Sequence, residues 1–195
     1  MNSKTNQLAG GCSGNNDRAS QVVVKRWRPA QAHPDDRAQL GFLLRKCVEG
    51  GASIGFMLPL GEQELESYWT KVLADPATTR CILIAREVGG TIVGSAQLAL
   101  ETRRNGQHRA EVQKVMVLPE WRREKIGARL MAQLERLAVE ENRSLLYLDT
   151  SVGESGAVHF YEELGYVLAG GIPDYAQAPG GGMEANAIYF KKIVQ

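Results

Sequence analysis

Between residues 110 and 148 the chain switches periodicity twice, and that leaves few folds open. Residues 110–118 (AEVQKVMVL) read as a strand. Residues 126–139 read as a helix, with Ile126, Leu130, Leu134, Leu137 and Ala138 on one face. Residues 145–148 (LLYL) read as a buried strand. Strand, helix and strand in that order predict a right-handed crossover joining two parallel strands.

The remaining segments extend this unit. Strands are expected at 22–27 (VVVKRW), 81–86 (CILIAR), 91–100 (TIVGSAQLAL), 166–169 and 187–193. The Val88-Gly89-Gly90 run between the second and third strands is a hairpin signal. Helices are expected at 35–48, with Leu40, Leu43, Leu44 and Cys47 on one face, and at 62–73, with Leu65, Tyr68, Trp69 and Val72 on another. A short helix is expected at 155–164. The order is β-α-α-β-β-β-α-β-α-β-β, and antiparallel pairing suits every neighbour but the one crossover. The expected class is α/β, a mixed and mostly antiparallel sheet flanked by helices.

Length and composition fit this picture. A chain of 195 residues suits one domain, 44% hydrophobic and 23% charged. Residues 1–20 are rich in Ser, Asn and Gly and are expected to form a tail, which leaves 21–195 as the domain. The net charge of +1 argues against a nucleic-acid or membrane-surface partner. No stretch has the length and apolarity of a membrane span. The cysteines Cys12, Cys47 and Cys81 are far apart and odd in number, which predicts no disulfide framework, no metal site and a cytoplasmic setting. The sequence leaves the oligomeric state open, a homodimer included.

The segment VMVLPEWRREKIGARLM, residues 115–131, concentrates the chemistry. A strand ends at Pro119, a basic turn follows, and a helix starts near Lys125. Unpaired N–H groups and the positive end of the helix dipole favour a phosphate there. Arg122, Arg123 and Lys125 add countercharge, and Gly127 allows close backbone approach. Downstream, residues 157–166 read AVHFYEELGY.

These two segments resemble motifs A and B of the GNAT acetyltransferases. In the first, Arg122 opens the phosphate turn, Gly127 and Ala128 close it, and Lys125 stands where the family has its first glycine. In the second, Ala157, Phe160, Tyr161, Gly165 and Tyr166 match, while Glu154 departs from the family's asparagine. The segments HRAEVQKVMVLPEWR, LYLDTSVG and GGIPDYAQAPGGGMEANAIYFKK look like the tabtoxin-resistance acetyltransferases. The resemblance implies an acetyl-CoA-dependent N-acetyltransferase. Val115, Met116, Val117, Arg122, Arg123, Glu124, Lys125, Ile126, Gly127, Ala128 and Ser155 would hold the cofactor. The Val117 amide would meet the acyl oxygen beside a bulge that splays the parallel pair.

Acetyl transfer needs a neutral amine and a proton for the leaving thiolate. Glu111 is the first candidate base: it is a charged residue in a strand that reads as central, and histone acetyltransferases of the superfamily carry a catalytic glutamate at the matching position. Simple alternation would set Glu111, Gln113, Val115 and Val117 on one sheet face. Asp149, at the end of LLYLD, is a second candidate for base or substrate binding. Tyr161 is the acid that the resemblance implies. His108 and His159 are given no role. The loops at 50–61 and 170–182 suit an enclosed pocket for a small amine. A protein or peptide acceptor and a non-catalytic acyl-CoA-binding module are the rival readings.

Overall fold

The computed structural model describes residues 18–153 and 157–193. A sheet runs in the order β1-β2-β3-β4-β5-β9-β6. Its strands are β1 (Val22–Arg26), β2 (Arg80–Glu87), β3 (Ile92–Leu100), β4 (Arg109–Val117), β5 (Leu145–Ser151), β6 (Val167–Gly170) and β9 (Asn186–Lys192). Among the described residues only β4 and β5 pair in parallel, as the crossover predicts. The other neighbours are antiparallel. The region expected to be a long loop, 170–182, differs: Ala176–Gln177 and Met183–Glu184 form a small hairpin, β7 and β8. Two-residue strands carry no periodicity that a sequence pattern could show.

The helices are α1 (Asp36–Glu49), α2 (Glu62–Ala74), α3 (Ile126–Glu140) and α4 (Ala157–Glu163). α3 lies on one face of the sheet. It approaches closely because Gly94 of β3 has no side chain: a Cβ there would lie 3.2 Å from Leu130 and 3.3 Å from Ile126. α4 shares this face, where Tyr161 packs against Tyr189 of β9. α1 and α2 cover the opposite face, where the Gln97 amide donates to the Tyr68 hydroxyl at 3.0 Å. The predicted apolar face of α3 is buried throughout, with Met131 added. In α1, Leu40, Leu43, Leu44 and Cys47 are buried, with Val48. In α2, Leu65, Trp69 and Val72 are buried and Tyr68 is half-buried.

Residues 18–20, the end of the expected tail, are ordered together with Gln21. They form a 3-10 turn leading into β1, with the Arg18 guanidinium 3.9 Å from the centre of the Trp121 ring. That cation–π contact links the turn to the entry of the basic segment. A polar anchor also escapes the hydrophobic pattern. Asp36, 3% exposed at the start of α1, accepts from the Trp27 indole and the His33 amide at 3.0 Å each and pairs with Arg86 of β2. It ties β1, α1 and β2 together with charge-assisted bonds. No helix among the described residues is long and apolar enough to cross a membrane.

Asp36→Ala removes one partner of a buried ion pair and strands the Trp27 and His33 donors. It is expected to lower stability by about 3 kcal/mol. Urea unfolding followed by tryptophan fluorescence measures this, and a loss under about 1 kcal/mol would contradict the anchoring role.

Candidate active site

The site begins with an irregularity in β4. Gln113 stands opposite Gln97 and Met116 opposite Ser95, so Lys114 and Val115 together face Ala96. This is a β-bulge, and Lys114 takes a left-handed backbone with φ 50° to make it. The extra residue shifts the alternation. Glu111 and Gln113 stay on the face of α1 and α2. Val117, opposite Gly94, turns to the α3 face. The expectation that Glu111, Gln113, Val115 and Val117 share one face is therefore corrected.

The bulge coincides with the opening of the parallel pair. Register between β4 and β5 ends at Glu111 opposite Tyr147, and beyond it the strands separate. The Leu118 amide bonds the Val93 carbonyl at 2.9 Å, and Met116 is paired with Ser95. Ladder alternation then points the Val117 amide away from β3, into the opening. Glu111 sits at the apex of this opening, and Asp149 lies along its other edge on β5.

The basic turn follows at once. Pro119–Trp121 form a 3-10 turn, and Trp121 is buried as a peg. Arg122, Arg123 and Lys125 are exposed, and Glu124 is half-buried. Arg123 and Lys125 are left-handed, with φ of 68° and 54°. Lys125 is the N-cap of α3, and its side chain makes no capping hydrogen bond. The amides of Ile126, Gly127 and Ala128, in the first turn, have no carbonyl four residues back within the helix. They form a cluster of donors at the positive end of the dipole. The left-handed angle explains why glycine suits position 125, and lysine holds it at a cost in strain.

Gly127 has a packing role as well. A Cβ there would lie 3.2 Å from the Phe160 ring, so the start of α3 and helix α4 touch at this residue. The Arg122 guanidinium reaches back toward Gly50 and the buried Cys47 at the end of α1. Cys47 also lies 3.5 Å from the Val117 carbonyl. Burial pushes its thiol up, and the Arg122 charge partly offsets this.

Glu111 and Asp149 flank the opening, and the Tyr161 hydroxyl feels the Asp149 carboxylate. Arg109, an obvious partner for Glu111, pairs with Glu101 instead at 3.1 Å. Glu111 is half-buried and Asp149 exposed. Tyr161, 8% exposed, has its hydroxyl pushed well above the usual tyrosine range, by burial first and by the Asp149 carboxylate second. It therefore keeps its proton at neutral pH. Ser155 lies outside the described residues. His159 is exposed beside Glu163, and the exposed His108 uses its carbonyl to hold the start of β5.

The face of α1 and α2 adds groups that the sequence reading did not pick out. Arg80 donates to Gln97 at 2.9 Å, to Gln113 at 2.8 Å and to Asp75 at 2.7 Å. Tyr68 completes that network. Lys114 projects from the bulge toward Gly55 and Phe56 of the loop between α1 and α2. Burial pulls its ammonium below the usual lysine range, and Asp149 and Glu111 partly offset this. A lysine inside an otherwise alternating central strand was the available signal for the bulge. The loop at 50–61 meets the loop of the β7–β8 hairpin, where the Leu58 amide donates to the Pro179 carbonyl at 3.1 Å. Among the described residues no three His, Cys, Asp or Glu side chains cluster to hold a metal ion.

Lys125→Gly keeps the backbone amide and removes the left-handed strain. It is expected to stabilise the fold by about 1 kcal/mol in urea unfolding. A destabilised variant would show that the lysine side chain outweighs its backbone cost.

A model of the acetyltransferase (GNAT) family matches residues 37–166. Among solved structures, a GCN5-related N-acetyltransferase from Kribbella flavida aligns with a TM-score of 0.72 at 19% identity, covering 89% of this chain and 98% of that one. The protein yncA of Salmonella typhimurium, solved with acetyl-CoA, aligns at 0.70 and 13% identity over 89% and 95% of the two chains. An aminoglycoside 6'-N-acetyltransferase complexed with coenzyme A aligns at 0.69 and 19% identity over 89% and 98%. At these identities the likeness to solved structures is one of fold. The family match spans more than half of the chain and takes in both the basic turn and the helix of Tyr161, and the protein is accordingly a member of the GNAT acetyltransferase family.

Proposed function

We propose that this protein acetylates the primary amine of a small molecule with acetyl-CoA as donor, by direct attack while both are bound. The observation that carries the reading is the opened β4–β5 pair, with Glu111 and Asp149 along it, Tyr161 beside it, and the bare amides of α3 next to it. Those amides, with Arg123 and Lys125 exposed around them, fit a pyrophosphate. The free edge of Val115, Met116 and Val117 fits an extended amide-bearing chain laid along it as an added strand. Arg122, Glu124 and Ser155 belong to the same cofactor site in this reading.

Acetyl-CoA supplies an activated acyl thioester. The Val117 amide, turned by ladder alternation into the opening, fits an acyl oxygen as its donor. Glu111 takes the proton from the acceptor ammonium, since an amine with a pKa of about 10 arrives charged. Asp149 holds that ammonium before deprotonation. Tyr161 keeps a proton for the departing sulfur. The contact between Leu58 and Pro179 brings two loops together on the acceptor side, which supports a small acceptor over a peptide laid in an open groove. Detoxification of an amine-bearing antimicrobial, as in the tabtoxin-resistance enzymes, is the finer form of this reading. Residues 21–195 act as one catalytic domain in the cytoplasm.

Acetyl-CoA at about a hundredfold over its dissociation constant is expected to stabilise the protein by about 2.7 kcal/mol. A thermal melt without any shift would overturn the cofactor assignment. Tyr161→Phe keeps the ring and removes the proton, so kcat is expected to fall about 100-fold with little change in acetyl-CoA affinity. Near wild-type turnover would remove Tyr161 from the chemistry. Glu111→Gln is expected to depress kcat and Asp149→Asn mainly to raise the acceptor KM, both read by release of CoA thiol. The reverse pattern would exchange their roles.

A further inference from the structure

We infer that Lys114 is an anchor for a carboxylate carried by the acceptor, so that the acceptor is an amine of the amino-acid type. The inference rests on the acetyltransferase reading above and adds the chemical class of the acceptor. Lys114 is a residue of the bulge, and its left-handed backbone helps to set the direction of its side chain. The ammonium ends near Gly55 and 5.9 Å from the centre of the Phe56 ring, half-buried on the acceptor side of the sheet. Among the described residues it makes no ion pair and no hydrogen bond, and the aromatic face is its only polar contact. A partly desolvated ammonium with three donors unspent costs stability until an acceptor group meets it.

Nearby cations and anions sharpen the assignment. Arg80, the neighbouring cation, is already paired with the Asp75 carboxylate and spends its Nε and Nη1 hydrogens on Asp75, Gln97 and Gln113. Glu111 and Asp149 act on Lys114 electrostatically without closing an ion pair. The cleft thus holds two carboxylates for an ammonium and one unspent ammonium for an anion. A molecule bearing both an amine and an acid complements both halves. A carboxylate fits better than a phosphate, because a second negative charge would face Glu111 and Asp149. A polyamine would set a further positive charge against Lys114.

The test measures kcat/KM by CoA-thiol release for the common α-amino acids, for their carboxamides and for spermidine. The protein with its native Lys114 is compared with Lys114→Met and Lys114→Arg. The native protein is expected to favour at least one acid over its amide by about tenfold or more. Lys114→Met is expected to bring that ratio down to near one, and Lys114→Arg to keep it. Differences in amine basicity cancel when the ratio is compared between variants. A ratio that Lys114→Met leaves unchanged, or a preference for amides or spermidine, would overturn the anchor while leaving the acetyltransferase reading intact. Retained acetyl-CoA binding by Lys114→Met separates loss of the anchor from misfolding. CoA release with none of these amines, by a protein whose melt responds to acetyl-CoA, would overturn the anchor. A protein that neither binds acetyl-CoA nor releases CoA would bring down the reading beneath it as well.

Discussion

The bulge at Lys114 and Val115 is the constraint on which the rest of the site depends. One added residue in β4 does several things at once. It moves Val117 to the face of α3 while leaving Glu111 on the face of α1 and α2. It bends the strand where its partner β5 leaves, so that backbone groups that would pair in a regular sheet are left to a ligand. It also directs a lysine into the cleft. Without it, β4 and β5 would continue as an ordinary parallel pair and the sheet would have no opening.

Much of the fold was legible because it follows from periodicity. The apolar stripe of α3 and the buried faces of α1 and α2 match the structure almost residue for residue, since a helix must bury one side. The basic turn and the helix of Tyr161 were legible because particular residue types recur at fixed spacing. The side-chain faces of β4 were not. An alternation counted from Glu111 runs straight through the bulge, although Lys114, in step with the buried Val112 and Met116, marks where it breaks. Asp36 was missed for a related reason: a carboxylate at a helix start reads as a solvated cap, and burial by Trp27 and Arg86 is a tertiary fact. The docking of residues 18–21 through Arg18 on Trp121 is likewise invisible in a local pattern.

Electrostatically, Asp149 stands between two functions. Its carboxylate raises the Tyr161 hydroxyl on one side and supports the Lys114 charge on the other. One carboxylate thus faces both the buried tyrosine hydroxyl and the half-buried lysine ammonium. Glu111 is kept out of a competing pair because Glu101 occupies Arg109. Charge pairing in the hairpin between β3 and β4 thus keeps the apex of the opening available for a proton.

The position of β9 has a consequence for how the molecule comes into being. Along the chain β9 follows every other strand, yet in the sheet it lies between β5 and β6 and pairs with both. Until residues 186–192 have left the ribosome, β5 has β4 on one side and nothing on the other. Asp149 is then on an unsupported edge, and Tyr161 lacks the Tyr189 ring against which it packs. The basic turn at the start of α3 can assemble on β3 and α3 early, from near neighbours in sequence. The half that holds Asp149 and Tyr161 must wait for a long-range closure, and such closures are slow. On the proposed reading, a growing chain would therefore form its phosphate-binding turn before its catalytic groups were in place.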